Sequence, residues 1–108
     1  MFARILAFEV KPEKKEEFVL VLKDRVLPIL HQQVGFLELL PFFAEKTTKE
    51  KVCFISLWTA RLDAERYKKE SYAQVIEILK PFLASTVEVN HFNLETRLCD
   101  RFVDALAV

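Results

Sequence analysis

Three aromatic side chains in one stretch of this sequence could line a site for a small ligand. Trp58 ends an apolar segment, and Tyr67 and Tyr72 follow it in a segment with helical patterning. A buried tyrosine hydroxyl needs a hydrogen-bond partner, which a phenol or quinone oxygen could provide. We therefore interpret these residues as candidate walls of a binding site for a small apolar or aromatic molecule. The alternative is that all three belong to the core, where most strand tryptophans lie.

Arg4 is a candidate for binding an anion, because it lies within the apolar segment Phe2 to Val10. A cation in such a segment is unfavourable unless another group pairs with it. One interpretation is an ion pair with Glu9, Glu95 or an acidic residue of a second chain. The other makes Arg4 an anchor for an anionic oxygen of a substrate.

His91 is a candidate general base, because it lies in the strand-like segment "VEVNHFNLE" and shares one face with Asn93. Asn93 could orient the imidazole for proton transfer. The alternative is a strand histidine with a structural hydrogen bond. The two histidines and the two cysteines, Cys53 and Cys99, do not have the spacing of a metal site, so we expect no bound metal.

The composition excludes several kinds of protein. The 108 residues suffice for one domain and carry 16 basic and 16 acidic side chains, which are interleaved along the chain. This balance argues against binding to nucleic acid. No apolar run approaches the ~20 residues of a membrane-spanning helix, and the N-terminus does not resemble a signal peptide. We therefore expect a cytoplasmic protein without nucleic-acid or membrane partners.

The periodicity of apolar residues predicts four strands and two helical regions. In chain order these are a strand from Phe2 to Val10, a helix from Pro12 to about Gln33, strands from Phe36 to Lys46 and from Lys51 to Trp58, a helical region from Ala60 to Leu83, and a strand from Val87 to Leu98. Pro28 predicts a kink or break in the first helix, and Gly35 predicts its C-terminal cap. The second helical region is expected to break near Glu70 and to restart at a capping box, Ser71 to Gln74.

This order, β-α-β-β-α-β, is that of the ferredoxin-like α+β fold, in which a four-stranded antiparallel sheet carries both helices on one face. The first two strands are apolar on both faces, so the sheet face without helices also needs a cover. A second copy, packed sheet against sheet, would supply it, and we expect a homodimer that forms an α/β barrel. The ferredoxin-like domain is predicted at residues 1–98. Residues 99–108 would be a C-terminal tail, with a possible short helix at the dimer interface.

The chain resembles the antibiotic biosynthesis monooxygenase family, whose members form dimeric α/β barrels. Three stretches carry the resemblance: "VKPEKKEEF" after the first strand, "VLPILHQQVGFLEL" with its internal proline, and "VCFISLWTARLDAERY" with a strand that ends in tryptophan. The resemblance implies a monooxygenase of small phenol- or quinol-type substrates that needs neither metal nor flavin. In such enzymes the substrate anion reduces dioxygen, while the protein contributes desolvation, orientation and hydrogen bonds.

The chain departs from the better-known branches of that family. The haem-degrading branch uses an asparagine on the first strand and a histidine in the second helical region, whereas here the first strand has no asparagine and "QVIEILK" has no histidine. Without an axial ligand, haem degradation is not expected, and we expect no cofactor. The quinol and polyketide branches often carry a histidine where this chain reads "RYKKESYAQ".

Two functional hypotheses follow. The first is a cofactor-independent monooxygenase, with Trp58, Tyr67 and Tyr72 binding the substrate and Arg4 or His91 assisting its deprotonation. The second is a dimeric barrel without catalysis, which serves as a binding or accessory protein. The family resemblance favours the first hypothesis, whereas the missing histidine and asparagine favour the second.

Overall fold

The computed structural model of the chain describes residues 1–45 and 50–99. Its strands are β1 (Phe2–Val10), β2 (Phe36–Phe43), β3 (Glu50–Trp58) and β4 (Glu88–Asn93), and its α-helices are α1 (Lys15–Val21), α2 (Leu27–His31), α3 (Arg61–Glu70) and α4 (Tyr72–Leu79). A π-helical segment, Leu22–Val26, joins α1 to α2, and short 3-10 helices lie at Pro12–Lys14, Lys80–Phe82 and Thr96–Leu98. The order of elements is the predicted β-α-β-β-α-β.

The strands form an antiparallel sheet in the order β2-β3-β1-β4. The two central strands pair along their whole lengths, from Phe2 opposite Trp58 to Val10 opposite Glu50. β1 also pairs with β4, which places Arg4 directly opposite His91. The predicted α+β ferredoxin-like architecture is therefore confirmed.

The core lies between the helices and one face of the sheet. Alternate residues of β1 and β3 point toward the helices. Buried apolar side chains from both layers form one cluster, which includes Phe2, Leu6, Phe8, Phe18, Leu22, Val26, Phe54, Trp58, Tyr67, Val75 and Leu79. Arg4 and Ser56 are buried polar residues with the same strand parity. A charged side chain therefore lies within an otherwise apolar layer.

The first helical region contains the irregularity that Pro28 predicts. Pro28 has no N–H to donate to the carbonyl of Asp24, and the helix widens to π geometry over Leu22–Val26, just before the proline. α2 then ends at His31, slightly before the predicted end of the helix. The predicted kink or break thus takes the form of a π-helical segment.

Gly35 has a φ of 81°, a conformation that glycine adopts without strain. The prediction that it caps the helix is wrong, because α2 ends at His31 and its cap residue is Gln32. A Cβ at position 35 would clash with the side chain of Asp63 in α3. The Gly35 carbonyl accepts a hydrogen bond from the backbone N–H of Thr59 at 2.8 Å and another from the Thr59 hydroxyl at 3.3 Å. Gly35 therefore joins the end of the first helical region to the start of α3.

The second helical region breaks at Ser71, between α3 and α4, close to the predicted position. The predicted capping box is wrong, because the Ser71 side chain makes no capping hydrogen bond to α4. Its hydroxyl instead donates to Oε1 of Gln33 at 3.4 Å. The helix restarts through the backbone, where the N–H of Gln74 donates to the Ser71 carbonyl at 3.1 Å.

The last strand is shorter than predicted. It covers Glu88–Asn93 rather than Val87 to Leu98, because the chain turns into the 3-10 helix at Thr96–Leu98. The Glu95 carboxylate stabilises this turn by accepting a hydrogen bond from the backbone N–H of Arg97 at 3.2 Å. A local side-chain bond therefore replaces strand pairing at this point.

Two predictions fall partly on residues that the structure does not describe. β2 ends at Phe43, and the predicted end at Lys46 lies outside the described residues. Nearly all of the predicted C-terminal tail, from residue 100 to residue 108, also lies outside them.

The sheet face opposite the helices carries apolar side chains. Phe42 and Phe92 on this face are 56% and 55% exposed. Ile5, Cys53 and Ile55 lie between them and are partly exposed. The apolar residues predicted on the second face of the strands therefore form an apolar surface on the folded sheet.

No helix within the described residues is long and apolar enough to cross a lipid bilayer.

Candidate ligand-binding site

A cavity lies where α3 crosses the edge of the sheet formed by β1 and β4. Its volume is about 130 Å³. This is close to the ~150 Å³ of an engineered cavity that holds one benzene ring. Its walls are formed by Phe2 and Arg4 of β1, by Arg61, Ala64, Glu65 and Lys68 of α3, and by His91 of β4. The cavity can therefore accept one aromatic ring.

The elements that carry these side chains explain why they meet. Residues three or four positions apart share one face of a helix, so Arg61, Ala64 and Lys68 line the cavity from α3. Directly opposed residues in an antiparallel pair point to the same sheet face. Arg4 and His91 are such a pair and both project toward the helices. Two residues that are remote in sequence thus become neighbours in the same wall.

Arg4 is buried without a complete set of hydrogen-bond partners. The residue is 2% exposed, and its Nε and Nη2 atoms have no hydrogen-bond partner among the described residues. Its Cζ atom lies 3.9 Å from the centroid of the Tyr72 ring and 5.8 Å from that of Tyr67. Contact with the rings stabilises the cation, but it leaves these two N–H groups unsatisfied.

The carboxylates expected to pair with Arg4 within its own chain lie elsewhere. Glu9 has the opposite parity in β1 and projects from the other sheet face. Glu95 is held by Arg97, whose Nε and Nη2 atoms donate to the two carboxylate oxygens at 2.7 and 2.8 Å. The predicted ion pair of Arg4 with either glutamate is therefore wrong.

The aromatic residues singled out in the sequence form a layer behind the cavity. Trp58 is fully buried, and its ring stacks on Tyr67 with centroids 5.0 Å apart. Tyr67 in turn meets Tyr72 edge to face at 6.0 Å. The Nε1 of Trp58 donates to the Ser56 hydroxyl at 2.9 Å. The structure brings Trp58, Tyr67 and Tyr72 together, but it places Arg4 and His91, rather than these rings, at the cavity wall.

Tyr67 is neutral at physiological pH. Burial raises the pKa of its hydroxyl well above the ordinary value, and the nearby Arg4 cation opposes this shift only in part. Tyr67 can therefore donate a hydrogen bond but is not a proton acceptor. Its contribution to the site is a rigid aromatic surface.

His91 lies on the exposed edge strand, and its ring centroid is 5.5 Å from that of Phe2. Desolvation lowers the pKa of His91 below the ordinary value of 6.5, as do the cations Arg4, Lys68 and Arg61, while Glu65 opposes them. The imidazole is therefore neutral at pH 7 and can accept a proton. No hydrogen bond links it to Asn93 within the described part of the chain.

The cavity has a net positive charge. Arg4, Arg61 and Lys68 face it together with a single acid, Glu65. That acid is already paired with Arg61, whose Nε donates to Oε1 of Glu65 at 2.9 Å. Arg4 and Lys68 are thus the cations that an anionic ligand would meet.

Among residues 1–45 and 50–99, no three His, Cys, Asp or Glu side chains lie close enough together to hold a metal ion.

The contribution of α3 was not predicted from the sequence. Its charged residues alternate in sign, a pattern that is typical of a solvated helix surface. The signal that could have identified them is the single small residue, Ala64, within a charged helix face. A small side chain there leaves space above the sheet where a longer one would fill it.

Sequence and structure comparisons identify proteins similar to this chain. The family model described as "Antibiotic biosynthesis monooxygenase" matches residues 1–88. A variant of SnoaB, a cofactor-independent oxygenase from Streptomyces nogalater, has a TM-score of 0.75 at 19% identity, covering 92% of this chain and 97% of that one. A monooxygenase from the gene ActVA-Orf6 of Streptomyces coelicolor, in complex with nanaomycin D, has a TM-score of 0.71 at 17% identity, covering 87% of each chain.

A conserved protein from Methanosarcina mazei is similar to the same degree, with a TM-score of 0.70 at 18% identity over 88% of this chain and 94% of that one. No curated protein matches the sequence significantly. At these identities, the structural similarity establishes the fold.

Proposed function

The chain belongs to the antibiotic biosynthesis monooxygenase family, and we propose that it is a cofactor-independent monooxygenase of a small phenol- or quinol-type substrate. In the proposed reaction an aromatic hydroxyl compound and dioxygen give a quinone and water. The substrate loses its hydroxyl hydrogen and one ring hydrogen and gains one oxygen atom. The second oxygen atom leaves as water, so no external reductant is needed.

The observation that carries this proposal is the buried, incompletely paired Arg4 beside a cavity that His91 also faces. Arg4 itself is buried, and a cation that is removed from water stabilises a nearby negative charge more than a fully solvated cation does. A phenol is a weak acid, and its anion is the form that transfers an electron to dioxygen. The cavity therefore supports the charge that the reaction requires.

The proposed steps use His91 as a base and Arg4 as an anion-binding group. His91 accepts the hydroxyl proton, and the phenolate transfers one electron to dioxygen. The resulting superoxide and ring radical combine through a C–O bond, and the imidazolium returns its proton to form a hydroperoxide. Loss of the ring proton then breaks the O–O bond, giving the quinone, and the departing hydroxide takes up this proton as water.

The layer formed by Trp58, Tyr67 and Tyr72 helps to hold Arg4 in position. Because Tyr72 lies against the Arg4 guanidinium and Tyr67 packs between Tyr72 and Trp58, the three rings restrict where the cation can move. We keep them as proposed substrate-binding residues, since a ring that enters beyond the present cavity would contact this layer. The cavity alone limits the part of the substrate beside Arg4 to about one ring.

A binding or accessory protein without catalysis is the second candidate. The close stacking of Trp58 on Tyr67, with ring centroids 5.0 Å apart, favours it. The faces of these two rings already contact each other without a ligand between them. Under this proposal the same cavity holds an aromatic anion and performs no oxygenation. The two candidates therefore predict the same ligand but different dioxygen consumption.

Dioxygen consumption with a panel of dihydroquinones and anthrones tests the enzyme. We expect the rate to fall at least ~100-fold in His91→Ala and ~10- to 100-fold in Arg4→Met. The matched controls are His31→Ala and Arg66→Met, because neither side chain lines the cavity. A background rate that is equal in wild type and in all four variants would eliminate the oxygenase and leave the binding protein.

We also propose a cytoplasmic homodimer that packs through the sheet face opposite the helices. The exposed Phe42 and Phe92 on that face support a second copy as its cover. Both cysteines, Cys53 and Cys99, are free thiols, as is usual in the cytoplasm. Light scattering should give a dimer for the wild type and a smaller species for Phe42→Asp. A monomeric wild type at micromolar concentration would contradict the dimer.

A further inference from the structure

Ala64 has the smallest side chain in the wall of the cavity. It shares one face of α3 with Arg61 and Lys68, which come three residues before it and four residues after it and which also line the cavity. Ala64 is 2% exposed, so its methyl group lies in the interior between α3 and the sheet. The cavity thus lies where a longer side chain at this position would pack.

The volume of the cavity is close to what one larger side chain would occupy. In a packed core, the replacement of one leucine by alanine can leave a cavity of ~150 Å³ that binds benzene. The cavity beside Ala64 has a volume of about 130 Å³, so a leucine at position 64 would fill most of it. The residue at this position therefore controls whether a ring can enter.

The exposure of the wall residues distinguishes a buried inner end from an exposed rim. At the inner end, Phe2, Arg4 and Ala64 are 5%, 2% and 2% exposed. At the rim, the side chains of Arg61 and Glu65 are 71% and 55% exposed. One apolar ring can lie at the inner end against the phenylalanine and the alanine. A second, fused ring would have to lie among the charges of the rim and displace water from them, which is unfavourable.

The inner end is also closed at the back, so that a second ring cannot lie deeper. Trp58 is fully buried, stacks on Tyr67 with centroids 5.0 Å apart, and donates a hydrogen bond to Ser56. Tyr72 contacts Tyr67 edge to face and lies 3.9 Å from the Cζ atom of Arg4. A deeper cavity would require this layer to move and these contacts to break. The cavity is therefore one ring deep.

We propose that Ala64 is a specificity-determining residue, which limits the substrates of this cavity to phenols and dihydroquinones with a single ring. This inference rests on the proposed function and names the substrate class of the same cavity. The ring lies at the inner end beside Phe2 and Ala64, and its hydroxyl group lies toward the exposed His91. Fused-ring compounds such as naphthols and anthrones are excluded.

Calorimetric titration with phenol and 2-naphthol in the absence of dioxygen tests the size limit. The second ring of 2-naphthol adds apolar surface, so transfer from water alone would make it the tighter ligand. We expect the wild type instead to bind phenol at least ~10-fold more tightly, because the cavity has room for one ring. Equal affinities, tighter binding of 2-naphthol or no binding of phenol would each overturn the inference without reference to any variant.

The variant Ala64→Leu tests the position. It should weaken phenol binding at least ~10-fold, and because it fills a cavity it should raise the thermal midpoint by ~4–8 °C. Ala73→Leu makes the same change at an exposed position of α4 outside the cavity, and it should bind phenol as the wild type does. A lower midpoint in Ala64→Leu would show that no space for a leucine exists there, and unchanged phenol binding would place the ligand elsewhere. Either result would overturn the inference.

The absence of dioxygen from the titration separates this inference from the proposed oxygenation. A preference for phenol that Ala64→Leu abolishes, in a protein that consumes no dioxygen with any dihydroquinone, would retain the size limit and exclude the oxygenase. Dioxygen consumption with anthrones as fast as with single-ring dihydroquinones would retain the oxygenase and exclude the size limit.

Discussion

The guanidinium of Arg4 lies over the ring of Tyr72, with its Cζ atom 3.9 Å from the ring centroid. This contact is what stabilises a cation that is 2% exposed and has two N–H groups without a partner in the described chain. A cation–π contact contributes only ~0.5–2 kcal/mol. An unsatisfied buried polar group costs ~1–3 kcal/mol, and more when it is charged. The balance indicates that Arg4 destabilises the ligand-free protein.

Arg4→Met should therefore stabilise the protein. Methionine retains an unbranched apolar chain and removes the buried charge, so we expect the free energy of unfolding to rise by roughly 1 kcal/mol. For a domain of this size, that corresponds to a rise of ~4–8 °C in the thermal midpoint. Arg66→Met, which removes an exposed guanidinium 3.7 Å from the partly buried Asp63, should shift the free energy by less than ~0.5 kcal/mol. A lower midpoint in Arg4→Met would mean that the cation is fully compensated.

The pKa of His91 should respond to the charge of Lys68. Desolvation and the cations Arg4, Lys68 and Arg61 lower this pKa, and Glu65 raises it. Lys68→Gln removes one of the cations, so the pKa should move up toward 6.5. Since only the neutral imidazole accepts a proton, the acid limb of activity should move to higher pH in the variant. A proton NMR titration of the imidazole measures the shift directly, and a downward shift would exclude this electrostatic coupling.

Trp58→Ala should be strongly destabilising. The indole is fully buried, stacks on Tyr67 and donates a hydrogen bond to Ser56. Removal of a buried aromatic side chain costs ~3–5 kcal/mol, which would show in urea denaturation as a lower midpoint with an unchanged slope. A loss below ~1 kcal/mol would indicate that Trp58 borders a ligand cavity and contributes little to the core.

Gly35→Ala should destabilise the protein for two separable reasons. Alanine disfavours the φ of 81°, at ~1–2 kcal/mol, and its Cβ clashes with the Asp63 side chain. The double variant Gly35→Ala with Asp63→Ala removes the clash and should recover part of the lost stability. Equal stability of the single and double variants would assign the whole effect to the backbone conformation. Thermal denaturation of the two proteins, with Asp63→Ala alone as the control, distinguishes these cases.

Most of the fold could be predicted because periodicity and turn residues are local. The pattern from Phe2 to Val10, the proline at position 28 and Gly35 each determine structure within a few residues. The end of β4 could not be predicted this way, because the bond between Glu95 and Arg97 competes with strand pairing. Leu94 and Leu98, which follow the observed end of β4, favour a longer strand when the sequence is considered alone.

The site was less accessible to prediction, because it depends on the pairing of distant segments. Arg4 and His91 are individually conspicuous, but only the β1–β4 register places them opposite each other. The stacking of Trp58 on Tyr67 depends on the angle at which α3 crosses the sheet, which the helical spacing alone does not give. The charged face of α3 has the pattern of a solvated helix and gives little sign that it covers a cavity.

Both ends of α3 are attached to the same short connection between α2 and β2. At its start, Asp63 lies against Gly35, whose carbonyl binds Thr59. At its end, the hydroxyl of Ser71 donates to Gln33. Because α3 is held at both ends, it cannot move outward as a rigid body. We therefore expect the route into the cavity to open by displacement of the outer strand β4. Exchange of amide hydrogens should accordingly be faster along that strand than along the helix.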